Sequence, residues 1–529
     1  MNINKLQTAI ELTQNGKFKE AENLFLEITE EEPENSKVLS AFGLFYISQG
    51  IYTKAIYYLK KASVLEKTLG TLSALGFAEF DARDYENSAI HLEEALKYGE
   101  NPDIYNRLIA SLFEIQSGQK AVEFSDKMYA LYPNNSKAIS NKVKALSQIG
   151  KLQEAEKLCV DSLKVNPNIP SLWHHLGFLK ELIYKDDSQA CECFKIASNL
   201  GSKNADYNIA VSYQKQGNFE EAEKYYKKML SNFPNHTITK VSLGMCYLKQ
   251  RRFEEGYELF YQRESRNVKS FTNNLWIPKT PIKDEIVIIG DQGFGDNIQF
   301  VRYLPFFKDK KVKVAVREEL QELFKQNYPE FEFINFNNIN PKTQSFRITD
   351  LAYVLDMDFE NIPFSEGYLK SKNLEIKSDK KKIGLCWEAG SSGHRTMLNR
   401  TINPEQMEPL MNIDNVQLYS LQYQDSFCGN EKYPQMVNLA KDFKDFNDTA
   451  KAIKSMDLII TADTAVAHLA GALGVKTFLL LPYVSDWRWF DDKNTTPWYK
   501  SIKIIQQTDP NSWQNEINEL LNLLSCKNI

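Results

Sequence analysis

Along the first half of the chain, apolar and small residues recur every three to four positions, and that pattern returns with a period of about 34 residues. The clearest copy runs through Asp206, Ile209, Ala210 and Tyr213, turns at Gly217, continues with Phe219, Ala222 and Tyr226, and closes at Pro234. The same skeleton is legible from Ala9 to Pro33, from Gly43 to Ala62, from Gly76 to Ala95, at Ala121 and Pro133, from Gly150 to Pro167, and from Trp173 to Ala197. The spacing predicts successive pairs of helices. Ala55, Ala155 and Ala222 fall where the two helices of a pair cross closely, while Gly16, Gly50, Gly150 and Gly217 end first helices by accepting a left-handed backbone. A last pair, from Leu243-Gly244 to Arg263, places Gly256 where alanine is expected and is read as the cap of the array.

These positions resemble the tetratricopeptide repeat. The resemblance implies an all-α solenoid of about seven to eight helix pairs over residues 1–265, whose concave face holds an extended peptide or protein segment. A rigid spacer or a self-association surface is the plainer alternative.

After residue 265 the pattern changes. A stretch at 266–283, with Trp276 and two prolines, reads as a linker. Short apolar runs alternating with helical stretches then predict parallel α/β structure. Strands are expected at Glu285–Gly290, Val312–Val316 and Phe331–Ile334 in a first lobe (284–375). In a second lobe (380–526) they are expected at Lys382–Trp387, Val416–Gln422, Leu458–Ala462, Thr477–Leu481 and Ile502–Ile505. Two tandem lobes suggest a ligand in the cleft near the C-terminal ends of their strands.

Composition narrows the functional classes. The chain has 529 residues with 43% hydrophobic and 25% charged side chains, which fits a multidomain globular protein. A net charge of −5 offers no footprint for nucleic acid. The polar N-terminus and the lack of a long apolar run predict a cytoplasmic chain without a transmembrane segment. The seven cysteines are scattered, and Cys191 and Cys193 are too close together for ordinary zinc spacing, so reduced buried thiols are expected.

Three clusters carry candidate chemistry. In "IVIIGDQGFGDNIQFVRYLP" a strand runs into Gly290, Gly293 and Gly295, followed by Asp296 at a helix start. In "LIITADTAVAHLAGALGVKTFLLLP" Asp463 and Thr464 stand at a second strand-to-helix junction, where free amides at Ala465, Val466 and Ala467 would face a phosphate. Each Asp also reads as a helix cap, and His468 reads more readily as a satisfied core histidine than as a ligand. Between the two lies "GLCWEAGSSGHRTMLNRTINPEQM", whose small residues with His394, Arg395 and Arg400 suit diphosphate recognition.

Together with "YSLQ" and "LPYVSDWRWF", these blocks resemble the ADP-heptose:lipopolysaccharide heptosyltransferase family, and the whole chain is similar to bacterial tetratricopeptide-repeat proteins that carry such a domain. The resemblance implies a GT-B-type pair of Rossmann-like lobes and metal-independent, inverting sugar transfer. It assigns Asp296 as general base, places Arg400 on the donor diphosphate where the heptosyltransferases have lysine, puts Gln422 near the nucleoside, and gives the sugar and phosphate to Asp463 and the helix after it. Gly293, Gly295, Thr464, Ala465 and His468 complete the implied donor site, and Gln299, Trp387, His394, Asp486 and Arg488 are further candidates.

The expected activity is sugar transfer from a nucleotide-sugar donor to a hydroxyl, with no bound cofactor and no metal. The architecture points to a protein side chain as acceptor, for example on a flagellin or other surface protein, selected by the repeats. A repeat scaffold with a non-catalytic glycosyltransferase-like domain is the main alternative. A dinucleotide-dependent epimerase or dehydrogenase is disfavoured, because Arg317 stands where a ribose-binding acid would be needed.

Overall fold

The chain is described from a computed structural model that covers residues 3–263, 268, 270–358, 360, 362–389, 400–423, 433, 435–490 and 494–525. It divides into two compact units, Met1–Asn208 and Ile209–Ile529. The division falls inside the Ala205–Lys215 helix and not at the end of the repeats.

The first unit consists of paired helices from Ile3–Gln14 to Asp187–Asn199. Their starts are set by side chains that satisfy orphan amides: Asn35, Asn101, Asn135 and Asp186 each accept from two backbone N–H groups of the following helix. Gly16, Gly50 and Gly150 have φ of 74°, 69° and 80°, as the turn between paired helices requires. Arg83, Gln116 and Lys185 occupy the same left-handed slot in other pairs, which is why glycine alone did not mark those turns. Ala21, Ala55, Ala121, Ala155 and Ala190 are fully buried at the helix crossings. Gly43, Gly76 and Gly177 sit opposite Leu59, Leu92 and Phe194, whose side chains fill the space a Cβ would need.

The second unit begins with the last repeat helices, Phe219–Asn232, Thr237–Lys249 and Phe253–Phe260, and continues into two sheets. The first sheet has the order β3-β2-β1-β4, with β1 Glu285–Ile289, β2 Lys311–Ala315, β3 Glu332–Ile334 and β4 Gln344–Arg347. The second has the order β10-β9-β8-β5-β6-β7, with β5 Lys381–Cys386, β6 Val416–Ser420, β7 Met436–Asn438, β8 Leu458–Ala462, β9 Thr477–Leu481 and β10 Ile502–Gln506. All the pairings between these strands are parallel. Both are doubly wound, so the crossover sense reverses between β1 and β4 and between β5 and β8, where crevices open at the strand ends.

Two strands were not anticipated, β4 and β7. All four residues of β4, Gln344-Ser345-Phe346-Arg347, are buried although three are polar, because each polar group has a partner elsewhere. Gln344 accepts from the Lys283 N–H and donates to the Pro281 carbonyl, and the Ser345 hydroxyl reaches Thr272. The stretch expected as a linker supplies these partners: Trp276 is buried and donates its backbone N–H to the Ser345 carbonyl at 2.8 Å.

The end of the repeat array is joined to the first sheet by buried charge. The Arg263 guanidinium meets Asp350 at 2.6 Å and Asp291 at 2.9 Å, while Arg347 Nε meets Asp350 at 2.5 Å and its Nη1 donates to the Arg263 carbonyl at 2.8 Å. Phe253, Tyr257 and Phe260 belong to the same hydrophobic core as β1 and β2. None of the described helices is long and apolar enough to cross a membrane.

Candidate functional site

The crevice at the end of β1 is built by the Gly290–Asp296 turn. Asp296 is the third residue of the Phe294–Phe300 helix, and its Oδ2 accepts from the Gly293 N–H at 2.9 Å, one arm of a capping box. Its Oδ1 lies 2.5 Å from Arg488 Nη2, a side chain from the segment after β9. Burial raises the Asp296 carboxyl above its ordinary pKa, with Asp486 and Asp291 adding to the rise and Arg488 and the Gly293 amide opposing it. Arg317 donates to the Gln292 carbonyl at 2.7 Å and fixes the turn from the β2 side.

The glycines of this turn serve packing between protein groups. A Cβ on Gly290 would stand 2.3 Å from Asn297 Oδ1, and one on Gly295 would stand 2.7 Å from His468 Cδ2. The room over Gly295 is thus filled by the Ala465–Ala472 helix and is not left open for a ligand. Gly293 has its N–H on Asp296, and its carbonyl accepts from Asn297.

At the end of β8, Thr464 is the residue that caps. Its hydroxyl accepts from the Val466 N–H at 3.2 Å and its carbonyl from the Ala467 N–H at 3.1 Å. Two of the three amides expected to face a phosphate are therefore already bonded, which corrects that expectation. Asp463 does not cap the helix. It is buried, and its Oδ2 lies 3.5 Å from Arg400 Nη1. Burial raises its pKa, and Arg400 pulls against the rise. His468 is a core histidine: Nδ1 is 3.0 Å from the Tyr499 hydroxyl, the ring stacks on Trp489, and burial together with Arg488 and Arg302 lowers its pKa to about 3.

The Asp486–Phe490 segment connects these junctions. Asp486 Oδ1 accepts from the Arg488 backbone N–H at 3.0 Å and from its Nη1 at 2.7 Å. Burial pushes the Asp486 carboxyl up, but Arg488 and the backbone hydrogen bond outweigh it and hold the group below its ordinary value. Arg488 thus stands between Asp486 and Asp296 with its cationic form favoured.

Gln422 is buried, and its Oε1 accepts from the Glu388 and Trp387 N–H groups at 2.9 and 3.3 Å, so it pins the end of β5. Trp387 is buried in the core of the second lobe. Gln299 is fully buried, and neither end of its amide has a partner among the described residues. His394 and Arg395 lie outside the described residues.

The structure therefore brings Asp296, Arg488 and Asp486 together, and Arg400 with Asp463. Sequence reasoning missed the groups that the last repeats bring here. Gln214, Lys215 and Lys249 line a pocket with Arg400, Asp486 and Trp487, and the helical pattern around those two lysines carries no signal that separates them from surface lysines. Among the described residues no group of three or more His, Cys, Asp or Glu side chains is arranged to hold a metal.

Comparison with known proteins identifies the helix pairs. Tetratricopeptide repeat profiles match residues 6–63 and 207–236. Protein FlbA of Caulobacter vibrioides is 22% identical over 453 residues, which is 74% of this chain and 74% of that protein. A tetratricopeptide repeat protein from Parabacteroides merdae is 16% identical, with 46% of this chain and 97% of that chain covered and a TM-score of 0.41. Yeast Tom70 is 20% identical, with 46% and 54% covered and a TM-score of 0.40. The first part of the chain is a helical tetratricopeptide solenoid, and parallel doubly wound sheets follow it.

Proposed function

We propose that the chain is a metal-independent glycosyltransferase of the GT-B type that moves a sugar from a nucleotide donor to a hydroxyl on a protein acceptor selected by the repeats. The observation that carries this reading is the carboxylate of Asp296, standing at the topological switch point of the first sheet, bridged by Arg488 to the second lobe, with its basicity raised by burial. In the reaction Asp296 takes the proton of the acceptor hydroxyl while that oxygen bonds to the anomeric carbon and the bond from that carbon to the donor phosphate breaks. Arg400, which holds Asp463 only at 3.5 Å, meets the charge that develops on the leaving diphosphate. The reading in which the repeats act as a scaffold and the α/β half is silent draws on the solenoid itself and on the His468 ring that fills the space over Gly295.

Replacing Asp296 by Asn separates the two. Single-turnover assays with a panel of nucleotide sugars and a peptide-library acceptor are expected to show transfer reduced by about a hundredfold or more. Donor affinity should be retained. Melting should show a loss of about 1–3 kcal/mol, because Arg488 loses one of the two carboxylates it pairs with among the described residues. A normal rate in the folded variant removes Asp296 from catalysis, and no transfer by the wild type from any donor favours the scaffold.

A further inference from the structure

The first unit carries a pocket that the transferase reading does not use. It lies where the Phe18–Glu31, Ser36–Ser48 and Tyr52–Leu65 helices meet. The first helix supplies Glu22 and Leu26, the second Tyr46, and the third Thr53, Lys54, Tyr57 and Tyr58. The pocket measures about 390 Å³, within the range of about 300–1,000 Å³ that small-molecule sites occupy. Its aromatic wall is held in place by its own packing. Tyr46 is buried, Tyr58 stacks on it with ring centroids 5.8 Å apart, and Tyr57 meets Tyr58 edge to face at 5.1 Å. Tyr57 itself remains 53% exposed, so its ring is open to a ligand.

Charge narrows what this pocket can take. Glu22 Oε1 accepts from the Tyr46 hydroxyl at 2.7 Å and from Lys54 Nζ at 3.2 Å, and those two donors hold the carboxyl below its ordinary pKa. The carboxylate of the pocket is thus matched by its ammonium, and neither sign is in excess. A cationic ligand would meet ammonium groups already set over the rings, since Lys54 Nζ is 4.8 Å from the Tyr46 centroid and Lys61 Nζ is 4.5 Å from that of Tyr57. An anion would face Glu22. A purely apolar segment would strip water from the polar groups of the wall without replacing it.

Those polar groups have capacity to spare. Glu22 Oε2 and the hydroxyls of Thr53, Tyr57 and Tyr58 have no hydrogen-bond partner among the described residues. A neutral ring that bears hydroxyls has both halves of the matching chemistry: a C–H face for the Tyr57 ring and Leu26, and hydroxyls that donate to Glu22 and exchange hydrogen bonds with Thr53 and Tyr58. We infer that this pocket binds a neutral saccharide, stacked on Tyr57 and held through its hydroxyls by Glu22, Thr53 and Tyr58. None of these residues takes part in the transferase reading, so the two stand or fall separately.

Saturation-transfer NMR on the full chain tests this with the neutral disaccharides lactose, maltose, cellobiose and chitobiose, with choline as the cationic probe, and with uridine and adenosine as planar ones. A neutral disaccharide should bind, and Tyr57→Ala should weaken it about tenfold. Tyr57→Phe keeps the ring and should retain most of the affinity. Tyr57 is exposed, so both variants should fold like the wild type, which circular dichroism checks. A wild type that binds none of the disaccharides overturns the site. Disaccharide binding that Tyr57→Ala leaves unchanged puts the sugar elsewhere, which overturns this pocket and leaves the transferase reading standing. Choline or nucleoside binding that Tyr57→Ala weakens, without disaccharide binding, gives the pocket to another ligand and overturns the saccharide.

Discussion

The helices from Ile3 to Asn199 and those from Ala205 to Phe260 follow one repeat pattern but close in different ways. In the first set, the glycines at the tight crossings face side chains: Gly43 meets Leu59, and Gly177 meets Phe194. In the last pair the backbones themselves meet, since a Cβ on Gly244 would stand 2.7 Å from the Phe260 nitrogen and 2.8 Å from the Gly256 carbonyl oxygen. The outer surfaces differ as well. The last helices send Phe260, Arg263 and Lys249 into a core and a charge network shared with the sheets. The repeat motif thus specifies how two helices pair, while what the pair packs against is decided by the residues between the motif positions.

The comparison breaks most decisively at the level of fragments. A fragment starting after Gly201 keeps the last repeat helices and should unfold in one cooperative transition, whereas one starting at residue 266 loses Arg263, Phe260 and Tyr257 and should fail to fold. Circular dichroism and denaturant titration of the two check this, and a stable 266–529 fragment would show that the closing repeats are dispensable.

Arg263→Met is the corresponding single substitution. It leaves Asp291 and Asp350 buried with one of their cations gone, which should cost about 3–5 kcal/mol. Hydrogen exchange read separately over the two units should place that loss in residues 209–529, with the first unit unchanged.

Glycine to alanine sharpens the packing difference. Gly244→Ala has to move backbone and should cost about 1–3 kcal/mol, while Gly43→Ala, which displaces the Leu59 side chain, should cost less. Equal costs in chemical denaturation would mean that the two crossings are equally compliant.

Acid should weaken the second unit through His468. Its folded pKa of about 3 lies below the ordinary imidazole value near 6.5, so the unfolded state binds the proton first, and the histidine's contribution to stability is lost as pH falls from about 6.5 toward 3. At pH 5.5 the loss is about 1.4 kcal/mol. His468→Phe should remove that part of the pH dependence when its stability profile is compared with that of the wild type, and an unchanged profile would mean that the imidazole is not held neutral.

Much of this molecule was written locally. The helix pairs follow from a 3.6-residue period, and β8 and β9 have the bounds expected from their apolar runs, because burial on one face or both leaves its mark within a few residues. Asp296 and Asp463 were visible as acids at strand-to-helix junctions for the same reason. What they touch was not visible. Arg488 pairs with Asp296 from nearly two hundred positions away, and Lys249 reaches Ser485 across 236 residues. The strand β4 hid because polar residues were buried against partners in a stretch that reads as a linker. Periodicity records which face of an element is dry, but it cannot say which distant group will neutralise a charge or fill a cavity there. The division of the chain near residue 208, the filling of the space over Gly295 by His468, and the meeting of the repeat lysines with Arg400 were therefore left to tertiary packing to decide.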